Sequence, residues 1–311
     1  PESQIGDLSF ERFKSYIDSA IESGLKSINL NGLGEPLLRS DLPEMIAYAK
    51  SKGVLETMFH TNVSIMTPTL AKRLVDSGLD KIIFSVDSPD KDTYQSVRLL
   101  KRSSQSDDVH KTSIVPMDPN KIRDNVLLFK NIRDELGSVK PFIRTTMVLT
   151  DDNEQFVDSF LELWRDISDE VSVQDMVSNS KDFGGKLWKN QQRSRVFDSR
   201  EQLLQACKEE GVKFICPVLY QSGYFYNNGD IVKCSYPGAR EGGVLSNIDS
   251  SPVVGDLWHS DEVNRLRKLH NEGLWYQDKM CEKCDLPYVE LASYFSKSHT
   301  SSVNSKKSNI G

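Results

Sequence analysis

No cysteine occurs before Cys207 in this chain of 311 residues, and only five occur in all. That scarcity excludes a disulfide-stapled secreted scaffold, which is shorter and far denser in cysteine. A reducing, cytoplasmic setting is the expectation. No apolar run approaches the roughly 18 residues that span a bilayer, so no membrane partner is expected. No charged-then-apolar leader precedes the first predicted helix, although the chain begins on Pro1 rather than Met, so that absence carries little weight. Basic residues are not in excess either: 39 Lys and Arg against 45 Asp and Glu leave a net charge of -6. With no aromatic–basic interleaving, nucleic acid is not an expected partner. Internal repeats are lacking too. What remains is 38% hydrophobic and 27% charged residues, a soluble balance at a length suited to one large domain and a small one.

The first two-thirds alternates helix and strand. Phe10, Phe13, Tyr16, Ile17, Ala20 and Ile21 recur at helical spacing, with Gly24 as a stop. Strands are predicted over Lys26–Leu30, Leu55–His60, Lys81–Val86, Phe142–Leu149 and Glu170–Gln174. Helices are predicted over Asp41–Lys52, from the cap Thr67-Pro68 to Gly78, and over Asp152–Asp166. This alternation means βαβ units and a parallel sheet, barrel or doubly wound, with polar residues after each strand where such folds place their sites. Arg102–Asp108 reads as a polar excursion, and Ser178–Arg195 as a linker carrying Gly184-Gly185. From Phe214 the texture changes to short strand-like runs, with a hairpin signal at Asn227-Asn228-Gly229-Asp230.

Four of the cysteines form a pattern. Cys216 and Cys234 bracket the predicted hairpin, with 17 residues between them, and Cys281-Glu282-Lys283-Cys284 is a chelating Cys-x2-Cys turn. They are the candidate thiolate ligands of one metal centre, either a [4Fe–4S] cluster or zinc. Zinc ribbons favour two Cys-x2-Cys knuckles, which the split first pair does not supply. Cys207, in a predicted helix outside the pattern, reads as a core residue.

The segment Cys216-x12-Gly229-x4-Cys234, then Val254-Gly255-Asp256-Leu257-Trp258, Arg265-Leu266-Arg267 and Cys281-x2-Cys284, resembles the twitch form of the SPASM auxiliary-cluster domain. Radical S-adenosylmethionine (SAM) enzymes carry that domain. The resemblance extends upstream. Asn31-Gly32-Leu33-Gly34-Glu35-Pro36 resembles the family's GGE motif, which receives the SAM amino group, with Leu33 in place of a glycine. His60-Thr61-Asn62 resembles its Thr-Asn-Gly turn, with Val63 where glycine is common. Ser85-Val86-Asp87 with Tyr94 and Arg98 resembles its Ser-x-Asp…Tyr-x3-Arg signature. The resemblance thus implies cofactor contacts at Gly34, Glu35, Thr61, Asn62, Ser85, Asp87 and Arg98. It places Thr145, Met147 and Asn153 near adenine or substrate. Arg144 is a speculative catalytic base or anion contact, or else half of a buried salt bridge.

The implied fold is α/β: a partial (β/α)6 TIM-like barrel lacking its first strand, plus a small cysteine-ligated C-terminal domain. The expected division is a barrel over 1–177, linker and helix over 178–213, twitch-like domain over 214–290 and a disordered tail over 291–311. The family's chemistry needs a Cys-x3-Cys-x2-Cys loop, which these residues lack. Gly6-Asp7-Leu8-Ser9-Phe10-Glu11 resembles the segment that follows that loop, so truncation upstream of Pro1 is the expectation and natural loss the rival. The implied full-length enzyme binds SAM and a second [4Fe–4S] cluster. It abstracts hydrogen from a sugar, cyclitol or peptide by a 5′-deoxyadenosyl radical and takes electrons from flavodoxin or ferredoxin. Its auxiliary cluster assists a net oxidation, whereas the chain alone is expected to be inactive. The alternatives are a degenerate, non-catalytic iron–sulfur module and a zinc-stabilised α/β protein.

Overall fold

The computed structural model describes residues 6–32, 34–88, 92–93, 118–175, 197, 199–234, 243–250, 253–284, 286–288, 290–291 and 294–295. The predicted excursion at Arg102–Asp108, the linker at Ser178–Arg195, and Leu33, Tyr94 and Arg98 lie outside the described residues. The chain divides into two compact units, Ser9–Met176 and Val177–Gly311, the latter also taking Pro1–Leu8. Among the described residues no helix is long and apolar enough to cross a membrane.

The first unit holds five parallel strands: β1 (Ser27–Asn29), β2 (Glu56–Thr61), β3 (Lys81–Ser85), β4 (Phe142–Leu149) and β5 (Glu170–Asp175). Their spatial order is their chain order. A doubly wound sheet reverses direction at a switch point; this one does not, so it is a barrel wall, as a partial TIM-like barrel requires. The helices are α1 (Phe10–Glu22), α2 (Leu42–Ser51), α3 (Pro68–Asp76), α4 (Pro119–Glu135) and α5 (Val157–Trp164). Thr67 caps α3 as expected, its side chain accepting the Leu70 N–H at 3.2 Å. The sequence reading passed over α4, although its signals are ordinary. Asp118 caps it, Pro119 opens it, and Ile122, Val126 and Phe129 are buried at helical spacing.

Alternate residues of each strand face this helix layer. Phe59, Ile82, Phe84, Ile143 and Met147 enter one core with Phe129, Phe160 and Trp164. Phe84 and Phe129 meet edge to face at 5.8 Å, an arrangement worth about 0.5–1.5 kcal/mol beyond the area buried.

Two aspartates fix the register below the sheet by the same device. Asp80, just before β3, donates its N–H to the Thr57 carbonyl, and its carboxylate takes the Thr57 N–H at 2.9 Å. Asp169, just before β5, does likewise with Ile143, whose N–H it accepts at 2.7 Å. Each carboxylate also finds a cation: Lys50 and Lys140 at the buried Asp80, Arg133 at the more exposed Asp169. A carboxylate thus extends the backbone ladder by one rung, and sliding either strand pair would strand a charge.

The second unit has an antiparallel sheet of β6 (Tyr224–Phe225), β7 (Asp230–Val232) and β8 (Val244–Asn247). Around it lie helices α6 (Arg200–Glu210), α7 (Val218–Gln221), α8 (Val254–Trp258) and α9 (Asp261–Glu272). The expected hairpin is β6–β7. Gly229 closes its turn at φ 97°, and a Cβ there would meet the Asn247 side-chain oxygen at 2.6 Å. Glycine is required twice over. The expected boundaries need correction. Leu203 and Cys207 of α6 pack in one core with Phe214 and Trp275, so this helix belongs to the same unit as the residues after 213. Leu291 and Phe295 are buried there too, so the unit continues past 290 into the expected tail. Apolar side chains at that spacing cover the core rather than leave it. Cys207 is the core residue expected.

Candidate functional site

At the C-terminal ends of β1 and β2 the resemblance residues do come together. The Glu35 carboxylate accepts the Thr61 hydroxyl and the Leu37 N–H on Oε1, and the Asn62 N–H on Oε2 at 2.9 Å. Asn31 Oδ1 takes the His60 N–H at 2.8 Å, a second tie between the same loops. A carboxylate offers about four lone-pair sites, so three bonds from the described residues leave one acceptor position on Glu35, at Oε2. Thr61 is 2% exposed and its hydroxyl is spent on Glu35 and the Val63 N–H. It positions the turn and has no face toward a ligand. Asn62 Oδ1 accepts the Ser64 N–H at 2.9 Å and shapes the turn further.

Val63 stands at φ 56°, left-handed, and is fully buried. A β-branched residue pays about 1–2 kcal/mol for that conformation. The turn holds it there: Asn125 Nδ2 of α4 donates to the Val63 carbonyl at 2.8 Å. The resemblance had glycine at this position for a reason the backbone makes plain.

The sheet face turned away from the helices is polar. His60, Ile83, Arg144 and Glu170 form one rung across β2–β5, and Ser85, Thr146 and Ser172 the rung above it. Arg144 Nη2 pairs with Glu170 at 2.6 Å, a salt bridge as in its alternative role but partly exposed rather than buried, while its buried Nε has no partner among the described residues. Burial lowers the His60 pKa, and the Arg144 charge lowers it further, so the imidazole is neutral near pH 7. Thr146 and Ser172 share a hydrogen bond of 2.8 Å.

Thr145 and Met147 require correction. Both face the helix layer, Met147 within the core and Thr145 against Ser168 at 2.6 Å. The strand period of two turns Arg144 and Thr146 to the open face instead. Asp87 is 1% exposed, and Asn153 ties its carbonyl to that of Val148 at 2.7 and 2.9 Å. Asn153 Oδ1 also accepts the Thr150 N–H, so that side chain is fully used in joining two loops. Gly34 is exposed beside Glu35, with open space where a Cβ would stand.

In the second unit, Cys216, Cys234, Cys281 and Cys284 are all half-buried and outside any disulfide. Cys216 and Cys281 lie against the same hydrophobic core. Burial pushes the Cys216 thiol up, against the pull of the Val218 backbone, and the neighbouring Cys234 charge adds to the rise. Burial likewise pushes Cys281 far up, with Asp278, Cys284 and Cys234 reinforcing it. Cys234 therefore acts electrostatically on a member of each pair. Thiols so raised give up their protons to a metal and to little else. Among the described residues no three His, Cys, Asp or Glu side chains converge closely enough to hold a single ion.

His270 of α9 lies beside this group and escaped the sequence reading. It is 1% exposed, and its Nδ1 accepts the Cys216 N–H at 3.2 Å. Burial lowers its pKa to about 4. Arg267, part of the Arg-Leu-Arg motif, lies over the Trp258 ring at 4.7 Å and donates to the Leu219 and Trp258 carbonyls. It clamps α7 and α8 to α9.

Comparison with known proteins gives the family. The Radical SAM superfamily matches residues 2–163, just over half of the chain. A probable GTP 3',8-cyclase of Methanococcus maripaludis is 24% identical over 261 residues, covering 83% of this chain and 82% of that protein. The AdoMet-dependent heme synthase of Nitratidesulfovibrio vulgaris is 34% identical over 93 residues, 30% of this chain and 25% of the synthase. The solved structure of anSMEcpe with bound AdoMet superposes with a TM-score of 0.54 at 16% identity, over 86% of this chain and 72% of that one, and shares the fold. The chain belongs to the radical SAM superfamily of enzymes.

Proposed function

We propose that the protein is the SAM-binding barrel and auxiliary-cluster portion of an enzyme that abstracts a hydrogen atom from a small molecule in a net oxidation. The observation that carries this reading is the Glu35-pinned turn on a singly wound sheet, in one chain with four half-buried cysteines outside any disulfide. Cys216, Cys234, Cys281 and Cys284 would hold an auxiliary [4Fe–4S] cluster, here read as a twitch-type centre. SAM and the superfamily's catalytic cluster supply, when bound, a 5′-deoxyadenosyl radical, and the auxiliary cluster supplies a one-electron acceptor.

The chain's own residues do the positioning. Glu35 keeps one lone pair for the SAM ammonium, and Gly34 leaves room for backbone to approach it. Ser85 ends β3 and Asp87 follows it, and with Arg98 they are assigned to the same ligand. On the open face Arg144 offers a guanidinium to an anionic substrate group, and neutral His60 offers an acceptor nitrogen. The two curated relatives carry names of small-molecule chemistry, a GTP cyclase and a heme synthase. They favour a small molecule, such as a sugar or cyclitol, over a peptide. Flavodoxin or ferredoxin is the proposed electron donor.

None of the 311 residues supplies a Cys-x3-Cys-x2-Cys loop. Anaerobic reconstitution with iron and sulfide is therefore run on residues 1–311 and on the full reading frame of the gene. Residues 1–311 are expected to take up one cluster and to form no 5′-deoxyadenosine. The full reading frame is expected to take up two and to cleave SAM. One cluster and no cleavage by the full reading frame would identify a non-catalytic iron–sulfur module. Tight zinc without an iron chromophore would identify a zinc-stabilised protein.

A further inference from the structure

Four charged side chains join the two halves of the cysteine quartet. Lys233 directly precedes Cys234 and is 5% exposed, although it carries an ammonium. Its Nζ lies 2.9 Å from Glu262 Oε1 of α9 and 3.9 Å from Asp278 Oδ2. Arg265, one helical turn beyond Glu262, pairs with both acids: Nε to Glu262 at 2.8 Å and Nη2 to Asp278 at 2.5 Å. Asp278, 7% exposed, uses its other oxygen to accept the Met280 and Cys281 N–H groups at 3.1 and 3.3 Å. One side of the network therefore holds the residue before Cys234, and the other caps the turn that presents Cys281 and Cys284.

A buried lysine is costly, and its position is justified only by partners it cannot lose. Here those partners are on the helix and on the opposite ligand turn. The Arg265 of the Arg-Leu-Arg motif thereby acquires a task distinct from that of Arg267. The network reaches both halves of the quartet directly, since Asp278 takes the Cys281 N–H itself and Lys233 adjoins Cys234 in the chain.

Resting on the auxiliary-cluster reading above, we propose that Asp278 and Lys233 are positioning residues for that cluster. They clasp the hairpin to the Cys-x2-Cys turn before metal arrives, and their opposite charges set its reduction potential. Cluster potential follows local charge and hydrogen bonding. A clasp that only held the fold would move stability without moving potential in a charge-dependent direction.

The test uses the 311-residue chain reconstituted anaerobically with ferrous iron and sulfide. Iron and sulfide content, the visible iron–sulfide absorption and the reduction potential followed by EPR are read for wild type, D278A, D278N, K233M and K233R. D278A, which loses both cap and charge, should bind the cluster about 10–100-fold more weakly, the usual cost of removing an outer partner. D278N keeps an acceptor for the two N–H groups and loses only the charge. It should load and shift the reduced-to-oxidised ratio about tenfold toward reduced, ~59 mV for one electron. K233M should shift it the opposite way by a similar factor, and K233R should restore it. Thermal unfolding is recorded beside each, and if K233M does not fold, D278N and K233R decide. Unchanged loading and potential in these variants, or shifts of the same sign on removing either charge, would overturn the proposal. A wild-type chain that takes up no cluster, or a C284S chain that loads as wild type does, overturns the metal-centre reading itself.

Discussion

Glu35 and Asn62, 27 positions apart in sequence, meet as carboxylate and backbone N–H at 2.9 Å. The resemblance assigned Glu35 to a ligand, but most of its acceptor capacity holds its own protein together. E35Q should therefore lower stability even with no SAM present, by about 1–3 kcal/mol, because the amide turns a donor toward groups that need an acceptor. Thermal unfolding without ligand checks this. A midpoint unchanged from wild type would return Glu35 to a purely ligand-binding role.

Val63 gives a second prediction. Truncation to alanine removes buried methyl groups and keeps the left-handed backbone, whereas glycine also relieves it. Relief of about 1–2 kcal/mol exceeds the ~0.4–1 kcal/mol that glycine costs through the unfolded chain. V63G should thus unfold no lower than V63A, inverting their usual order. Denaturant midpoints of the two variants provide the measurement.

Asp80 governs acid stability. Burial alone would raise its pKa, but Lys140, Lys50 and the Thr57 N–H outweigh that and hold it below the ordinary 3.8. With the folded pKa depressed, its contribution is complete above the unfolded value and is lost as pH falls through the folded one. Unfolding free energy of the wild type should drop below about pH 4. D80N should be less stable at neutral pH by about 1–3 kcal/mol and show a flatter acid limb. Parallel pH profiles that differ only by an offset would count against this account.

His60 and Arg144 share a rung of the open face. Removing the guanidinium in R144M should raise the His60 pKa toward its usual 6.5, since burial remains and the repelling charge is gone. The imidazole proton shifts in an NMR titration report it directly. A His60 pKa that stays put in R144M would separate the two residues electrostatically and weaken the case for a joint substrate contact.

Much of the barrel could be read from sequence because its signals are local. Strands β2 to β5 and their boundaries follow from short apolar runs, and Thr67-Pro68 announces α3. The turn at Asn227–Asp230 announces the hairpin in the same way. What escaped was either non-local or obscured. The α4 helix carries clear capping residues, but it follows a long polar stretch and its exposed face is strongly charged, which dilutes its apolar period. β8 is four residues long, Val244–Asn247, too short for a period to show. Thr145 and Met147 were assigned to the ligand by position along the strand, without asking which face each one takes. Most telling, Lys233, Glu262 and Asp278 stand in no motif, and Arg265, which does, shows its partners only when the fold brings the four together. The same is true of His270. Pairings across such separations are set by tertiary packing, which no window of sequence contains.

Because strand order and chain order coincide in the barrel sheet, the functional residues are distributed one loop at a time. Asn31 and Glu35 follow β1, Asn62 and Val63 follow β2, and Asp87 follows β3. The register below is pinned separately, at Asp80 and Asp169, on the opposite edge. The sheet thus resembles a keyboard whose frame is fixed from beneath while each key is replaceable from above. Whole loops exchanged between relatives at these junctions would leave the ladder intact, so the protein's specificity is open to grafting one βα junction at a time.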